Sequence, residues 1–323
     1  MRGVIMRAPW DVRVEERPVP VLEAPTDAII RVTATCVCGS DLWPYRGLES
    51  VDNAPMGHEY VGVIEQVGDE VRGLAVGDHV VGSFVASDNT CEICLSGFQS
   101  RCIRHVMMGG IGTQAEQARI PHADGTLVKI PDNPTEAQAR SLVAASDVLG
   151  TGWFGAIAAQ AGPGKTVAVV GDGAVGLMGV LAASQLGAER IIAMSRHADR
   201  QALARRFGAT DVVEERGEEG IARIKELTGG YGAHSTIEAV GTQESMEQAI
   251  GATRPGGNVG YVGVLHGVRL KGGRLFGATV GLLGGPAPVR RLAISYRATR
   301  ACNSPLDSHR PGSSNEGSSS CSI

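Results

Sequence analysis

Three residues with different donor chemistries stand out in a chain of 323 residues: Cys38 in "CVCGSDLWPY", His58 in "PMGHEYVG" and Asp147 in "SDVLGTG". A thiolate, an imidazole and a carboxylate suit a zinc site with one position left open for water or substrate. The His58–Glu59 pair alone is a common surface or core feature; Cys38 and Asp147 are what give it weight. A second group, Cys91, Cys94 and Cys102, follows the spacing C-x2-C-x7-C, with His105 three residues further on. Two readings stay open there: a Cys3His metal site, or a loop without metal. Seven cysteines is an odd count, and five of them precede residue 103. In a reducing compartment that pattern favours metal chemistry over a disulfide framework.

A third motif is "VAVVGDGAVGL", which sets Gly171, Gly173 and Gly176 in the spacing G-x-G-x-x-G. It follows an apolar strand and opens a helix expected to end near Leu186. Gly171 makes the tight turn, Gly173 lets backbone approach a pyrophosphate, and Gly176 permits close helix–strand packing. The phosphates would meet free N–H groups and the positive end of the helix dipole. The end of the next strand, "RIIAMSRHADR", offers Ser195, Arg196 and His197, with no acid before Asp199. Ser and Arg can bind a 2′-phosphate that a carboxylate would repel, so NADP is expected in preference to NAD.

The elements that must position these groups fall into two textures. Up to residue 147, runs such as "DAIIRVTAT", "GHEYVGVIEQVG", "GDHVVGSFV" and "GTLVKIP" are β-rich and bounded by turns, as in an irregular β-barrel. From 148 to 290 strands and helices alternate, which predicts a parallel sheet with helices on both faces. Glycine, at 45 residues, is about twice as frequent as in an average chain and falls at turns and motifs. Residues 291–323 contain nine serines and no periodicity, so this segment is expected to be disordered. The change of texture suggests a reading frame lost near residues 288–292. A net charge of −4 without a basic stripe argues against nucleic acid. The N-terminus lacks a signal-peptide core and no uninterrupted apolar run approaches ~18 residues, so a cytoplasmic protein without a membrane span is expected.

Taken in order, "CGSDL", "GHE", "GDHVVG", the C-x2-C loop, "SDVLGTG", "GDGAVGL" and "RPGGNVGYVGV" resemble the zinc-dependent medium-chain alcohol dehydrogenases over residues 1–290. The resemblance implies a mixed fold, with a β-rich GroES-like catalytic domain (1–147) and a doubly wound α/β Rossmann domain (148–290). It implies Cys38, His58 and Asp147 as catalytic zinc ligands, with Glu59 close to the metal and Asp41 bracing the ligand histidine. Ser40 would take the substrate proton, and Thr151 and Gly152 would lie against the nicotinamide. The substrate would be a small alcohol or carbonyl compound, and the protein a homodimer or homotetramer.

The chain departs from the family pattern in three places. Trp43 stands where many relatives carry a relay histidine, and an indole cannot carry a proton. Gly97 replaces the third of four cysteines in the second cluster, which leaves a structural Zn2+ doubtful. Nothing after Arg290 resembles the family's return to the catalytic domain, so a catalytically impaired nucleotide-binding relative is the alternative reading. Cys36 is expected to be a small inert residue.

Overall fold

The structure is a computed structural model and describes residues 1–131 and 133–289; the expected tail, 291–323, lies outside the described residues. The strands are β1 (Arg2–Ala8), β2 (Asp11–Glu16), β3 (Ala28–Thr35), β4 (Ala54–Pro55), β5 (Tyr60–Val67), β6 (His79–Gly82), β7 (Val85–Ala86), β8 (Val106–Met107), β9 (Gln117–Ile120) and β10 (Leu127–Lys129). Five of them form an antiparallel sheet in the order β10-β6-β5-β3-β9, beside a smaller β2-β1-β4 sheet and a β7-β8 pair. β-branched residues dominate β3 and β5, and their inward members Ile30 and Ile64 form one core with Ile120 of β9 and with Tyr60, Val80 and Leu127. Tyr60 lies opposite Gly82 across β5 and β6. A Cβ at Gly82 would stand 2.2 Å from the Tyr60 ring, so only glycine lets the ring lie flat over this strand pair.

The second unit is a parallel sheet of six strands: β11 (Thr166–Val170), β12 (Arg190–Met194), β13 (Asp211–Val213), β14 (Ala233–Glu238), β15 (Thr253–Tyr261) and β16 (Gly281–Gly284). Their order is β13-β12-β11-β14-β15-β16, with the chain direction of the winding reversing between β11 and β14. That reversal opens a crevice at the carboxyl ends of the strands, the place where open α/β sheets bind ligands. Strands such as "TVAVV" and "RIIAM" are apolar and buried from their second residue onward because helices cover both faces.

The helix Val148–Ala158 joins the two units. It lies against the helix Ala174–Gln185 at two glycines: a Cβ on Gly152 would stand 2.6 Å from the Gly179 nitrogen. This contact gives Gly152 a packing task that its place in the motif did not reveal. The helical stretch Glu136–Ala158 is long and apolar enough, by length and composition, to cross a membrane, but 61% of its apolar window is buried in the fold. Hydropathy averaged across Ser146 and Asp147 produces this match, which a search for uninterrupted apolar runs does not register.

Candidate functional site: two candidate metal clusters and a glycine turn

Each member of the first cluster is set by a local device. Cys38 caps the short turn Gly39–Asp41, and Asp41 Oδ2 accepts the Cys38 N–H at 2.9 Å. His58 and Glu59 directly precede β5, after Gly57, whose φ of +97° and tight approach to the Gln114 nitrogen require glycine. Asp147 caps the helix Val148–Ala158, and its Oδ1 accepts the Thr151 hydroxyl at 2.6 Å. Ser146, which sequence reasoning passed over, ties the pieces together. Its buried hydroxyl accepts the Tyr60 N–H at 3.0 Å and donates to the Gly82 carbonyl. The helix carrying Asp147 is thereby fastened to the strand that begins beside His58.

The donor atoms of Cys38, His58 and Glu59 all lie within 4.8 Å of one another. His58 Nε2 faces Asp147 Oδ2 at 3.5 Å, and Nδ1 faces Asp41 Oδ1 at 3.6 Å. Burial would lower the His58 pKa, but hydrogen bonds to Asp147 and Cys38 prevail and hold it at about 11. The pocket therefore favours positive charge. Burial, then the charge of Asp147, pushes Glu59 up to about 7. Glu59 Oε1 is buried without a partner, while Oε2 accepts the Cys36 thiol at 2.8 Å. Cys36 is thus a hydrogen-bond donor to Glu59 rather than a mere filler, and burial followed by that bond raises its pKa far enough to keep it a thiol. A thiolate, an imidazole nitrogen and two carboxylates, one with an orphaned oxygen, fit a divalent zinc ion. Ser40 sits half-buried in the same turn, one residue before Asp41.

The glycine turn lies at the end of β11. Gly171 has φ +113°, Gly173 caps the following helix, and a Cβ at Gly176 would lie 2.0 Å from the Gly171 carbonyl oxygen. No atom lies within 4 Å of a Cβ built at Gly173, so the helix start is open to a phosphate group. Ser195, buried at the end of β12, donates its hydroxyl to Asp172 Oδ2 at 2.8 Å, and Arg200 donates to Asp172 Oδ1 at 2.9 Å. An acid therefore does stand beside this strand end, but it comes from the glycine turn and not from "SRHADR". Arg196 is exposed on the neighbouring loop. Arg216, three residues past β13, is half-buried; burial lowers its pKa, with Asp172 opposing and Arg196 adding to the shift.

In the second cluster, the sulfurs of Cys91, Cys94 and Cys102 lie within 4.8 Å of one another. Backbone N–H groups of Ile103 and Cys94 lower the Cys91 pKa to about 7, and burial raises that of Cys94 to about 11. His105 turns Nδ1 to the Cys102 carbonyl at 2.7 Å, whereas Asp88 Oδ1 lies 3.2 Å from the Cys102 sulfur. Gly97 adopts φ +98° with open space around it.

Two family models match the chain: the alcohol dehydrogenase GroES-like domain over residues 24–132 and the zinc-binding dehydrogenase over residues 174–284. Zinc-type alcohol dehydrogenase B of Aspergillus flavus is 36% identical over 305 residues, covering 91% of this chain and 71% of that protein. An alcohol dehydrogenase of Cupriavidus necator is 31% identical over 284 residues, 82% of this chain and 76% of its own length. Among solved structures, alcohol dehydrogenase TADH from Thermus sp. ATN1 superposes with a TM-score of 0.83 at 33% identity, covering 93% of this chain and 89% of that one. The zinc-dependent alcohol dehydrogenase 2 from Streptococcus pneumonia in its apo form gives 0.85 at 28% identity, with 93% and 87% coverage. With its β-rich GroES-like unit, its Rossmann sheet and these relatives, the chain belongs to the zinc-dependent medium-chain alcohol dehydrogenase family, oxidoreductases that use Zn2+ and a nicotinamide cofactor.

Proposed function

We propose that the chain interconverts a small alcohol and its aldehyde or ketone at the Cys38–His58–Asp147 site, with NADP preferred over NAD. The observation that carries this reading is the meeting of the Cys38, His58 and Glu59 donors within 4.8 Å, beside Asp147. Zinc, when bound, supplies Lewis acidity to the substrate oxygen, and the nicotinamide supplies the hydride acceptor. Cys38, His58 and Asp147 hold the metal, and Asp41 fixes the orientation of His58 through Nδ1. Thr151 holds the Asp147 carboxylate by its hydroxyl, and Glu59 offers an additional oxygen to the same space. Ser40, in the turn with Asp41, accepts the alcohol proton. The test is reduction of NADP and NAD by a panel of alcohols, followed by the same assay after chelation and in Cys38→Ser. Activity that survives metal removal would sink the reading.

The cofactor preference is supported by the balance of charge at the ends of β12 and β13. Arg200 and Arg216 both act on one carboxylate, Asp172, whose two oxygens already accept Ser195 and Arg200, and Arg196 adds its charge near Arg216. Among the described residues Arg216 makes no side-chain hydrogen bond or ion pair, so it is available to a phosphate. Asp172 also favours a second reading, NAD, since it can accept a ribose hydroxyl. Binding constants for NADPH and NADH decide between them. The edge strand β16 exposes Leu283, and Phe276 is exposed on the preceding helix Gly272–Ala278, which supports a homo-oligomer formed through this edge.

A further inference from the structure

Trp43 is in the short helix Leu42–Tyr45, immediately after the turn that carries Ser40 and Asp41. His266 belongs to the other unit, in the loop that follows β15. Their rings meet with centroids 3.8 Å apart and planes inclined at 30°. Both sides of this contact are anchored. On the His266 side, the backbone N–H bonds to the Gly241 carbonyl at 3.3 Å. A Cβ at Gly263 would stand 2.3 Å from the Gly241 nitrogen, and a Cβ at Gly241 would stand 2.1 Å from the Val264 carbonyl oxygen. The loop is therefore pressed backbone to backbone against the end of β14, with no room for a side chain at either glycine. On the Trp43 side, the Trp43 carbonyl accepts the Leu48 N–H at 3.0 Å, and the Tyr45 ring meets Trp10 edge-on at 4.8 Å. Glu49, from the same segment as Trp43, places Oε1 3.7 Å from His266 Nδ1, while Nε2 is buried without a partner.

We propose that His266 is a positioning residue for hydride transfer: its stack on Trp43 clamps the Ser40-bearing turn of the catalytic domain to the ligand-binding end of the nucleotide-binding sheet. The clamp joins rigid segments of two domains at the cleft where two reactants must be aligned, and a small misplacement there costs rate steeply. The hydride-transfer part rests on the alcohol–nicotinamide reading above. It accounts for an indole at position 43, which cannot carry a proton but offers a wide face for stacking.

Four proteins test it: His266→Ala, Trp43→Ala, the double variant and His266→Phe. Each alanine variant is expected to lower kcat about tenfold, to raise the primary deuterium isotope effect with α-deuterated alcohol, and to leave the melting temperature in place. The double variant is expected to be no worse than the poorer single one, the mark of a shared contact, and His266→Phe to recover most of the loss. Without turnover, small-angle X-ray scattering of His266→Ala is expected to show a larger radius of gyration than the unsubstituted protein. Additive losses, an unchanged isotope effect, or His266→Phe as poor as His266→Ala would overturn the positioning role. Unchanged scattering overturns the clamp itself, whatever the reaction proves to be. If the unsubstituted protein oxidises no alcohol while His266→Ala still expands, the alcohol reading fails and the clamp stands.

Discussion

At the first cluster, the charge of a single residue tells what the pocket is built to hold. His58 keeps a proton to about pH 11 in the metal-free protein because Asp147 and Cys38 both face it. Zinc must displace that proton, so its affinity is expected to rise with pH, read by competition with a coloured chelator. Asp41→Asn should weaken zinc binding about 10- to 100-fold in the same assay, since the histidine loses its orienting charge. Glu59 supplies a stability test with a definite sign. Its carboxyl titrates near 7 in the fold against 4.5 normally, so between those values the folded protein holds a proton that the unfolded chain releases. Metal-free protein should accordingly lose stability as pH rises from 4.5 to 7 on account of this group. Urea midpoints across that range should fall less steeply in Glu59→Gln, and an identical slope would contradict the assignment. The types and spacing of Cys38, His58 and Asp147 were readable without coordinates. The thiol of Cys36 on Glu59 and the Ser146 tie were not, because neither has a periodic or motif signal.

The elements divide the glycines into two kinds that look alike in the motif G-x-G-x-x-G. Gly176 faces the Gly171 carbonyl so closely that a methyl group has nowhere to go, whereas Gly173 looks into open space with φ −73°. Gly176→Ala is therefore expected to destabilise the fold by about 3 kcal/mol. Gly173→Ala should melt with the parent protein but bind the cofactor about tenfold more weakly, about 1.4 kcal/mol. Thermal melts and fluorescence titration with NADPH check the pair, and equal melting points for both variants would refute the distinction. Strand–turn–helix order made the dinucleotide turn legible. The acid beside it was missed because Asp172 belongs to the turn itself and meets Ser195 only once β11 and β12 lie side by side.

On the scale of the whole molecule, the cluster of Cys91, Cys94 and Cys102 is a group separate from that of Cys38, His58 and Glu59 and has the makings of a structural metal site. Its three sulfurs already converge, and Asp88 Oδ1 accepts the Cys102 thiol at 3.2 Å. Purified protein is expected to carry two zinc ions per chain. Cys102→Ser should retain one zinc, retain alcohol oxidation and melt several degrees lower. One zinc per chain in the parent protein would refute a second site. Local residue order alone determined the two textures of the chain and the strand–turn–helix at Gly171–Gly176, because each depends on contacts within a few residues. Tertiary structure alone decided that Asp147 faces His58, that Asp172 meets Ser195, and that Trp43 stacks on His266. Those pairs are remote in sequence, and strand register, backbone contact at glycines and the packing of one domain on the other are what bring them within reach.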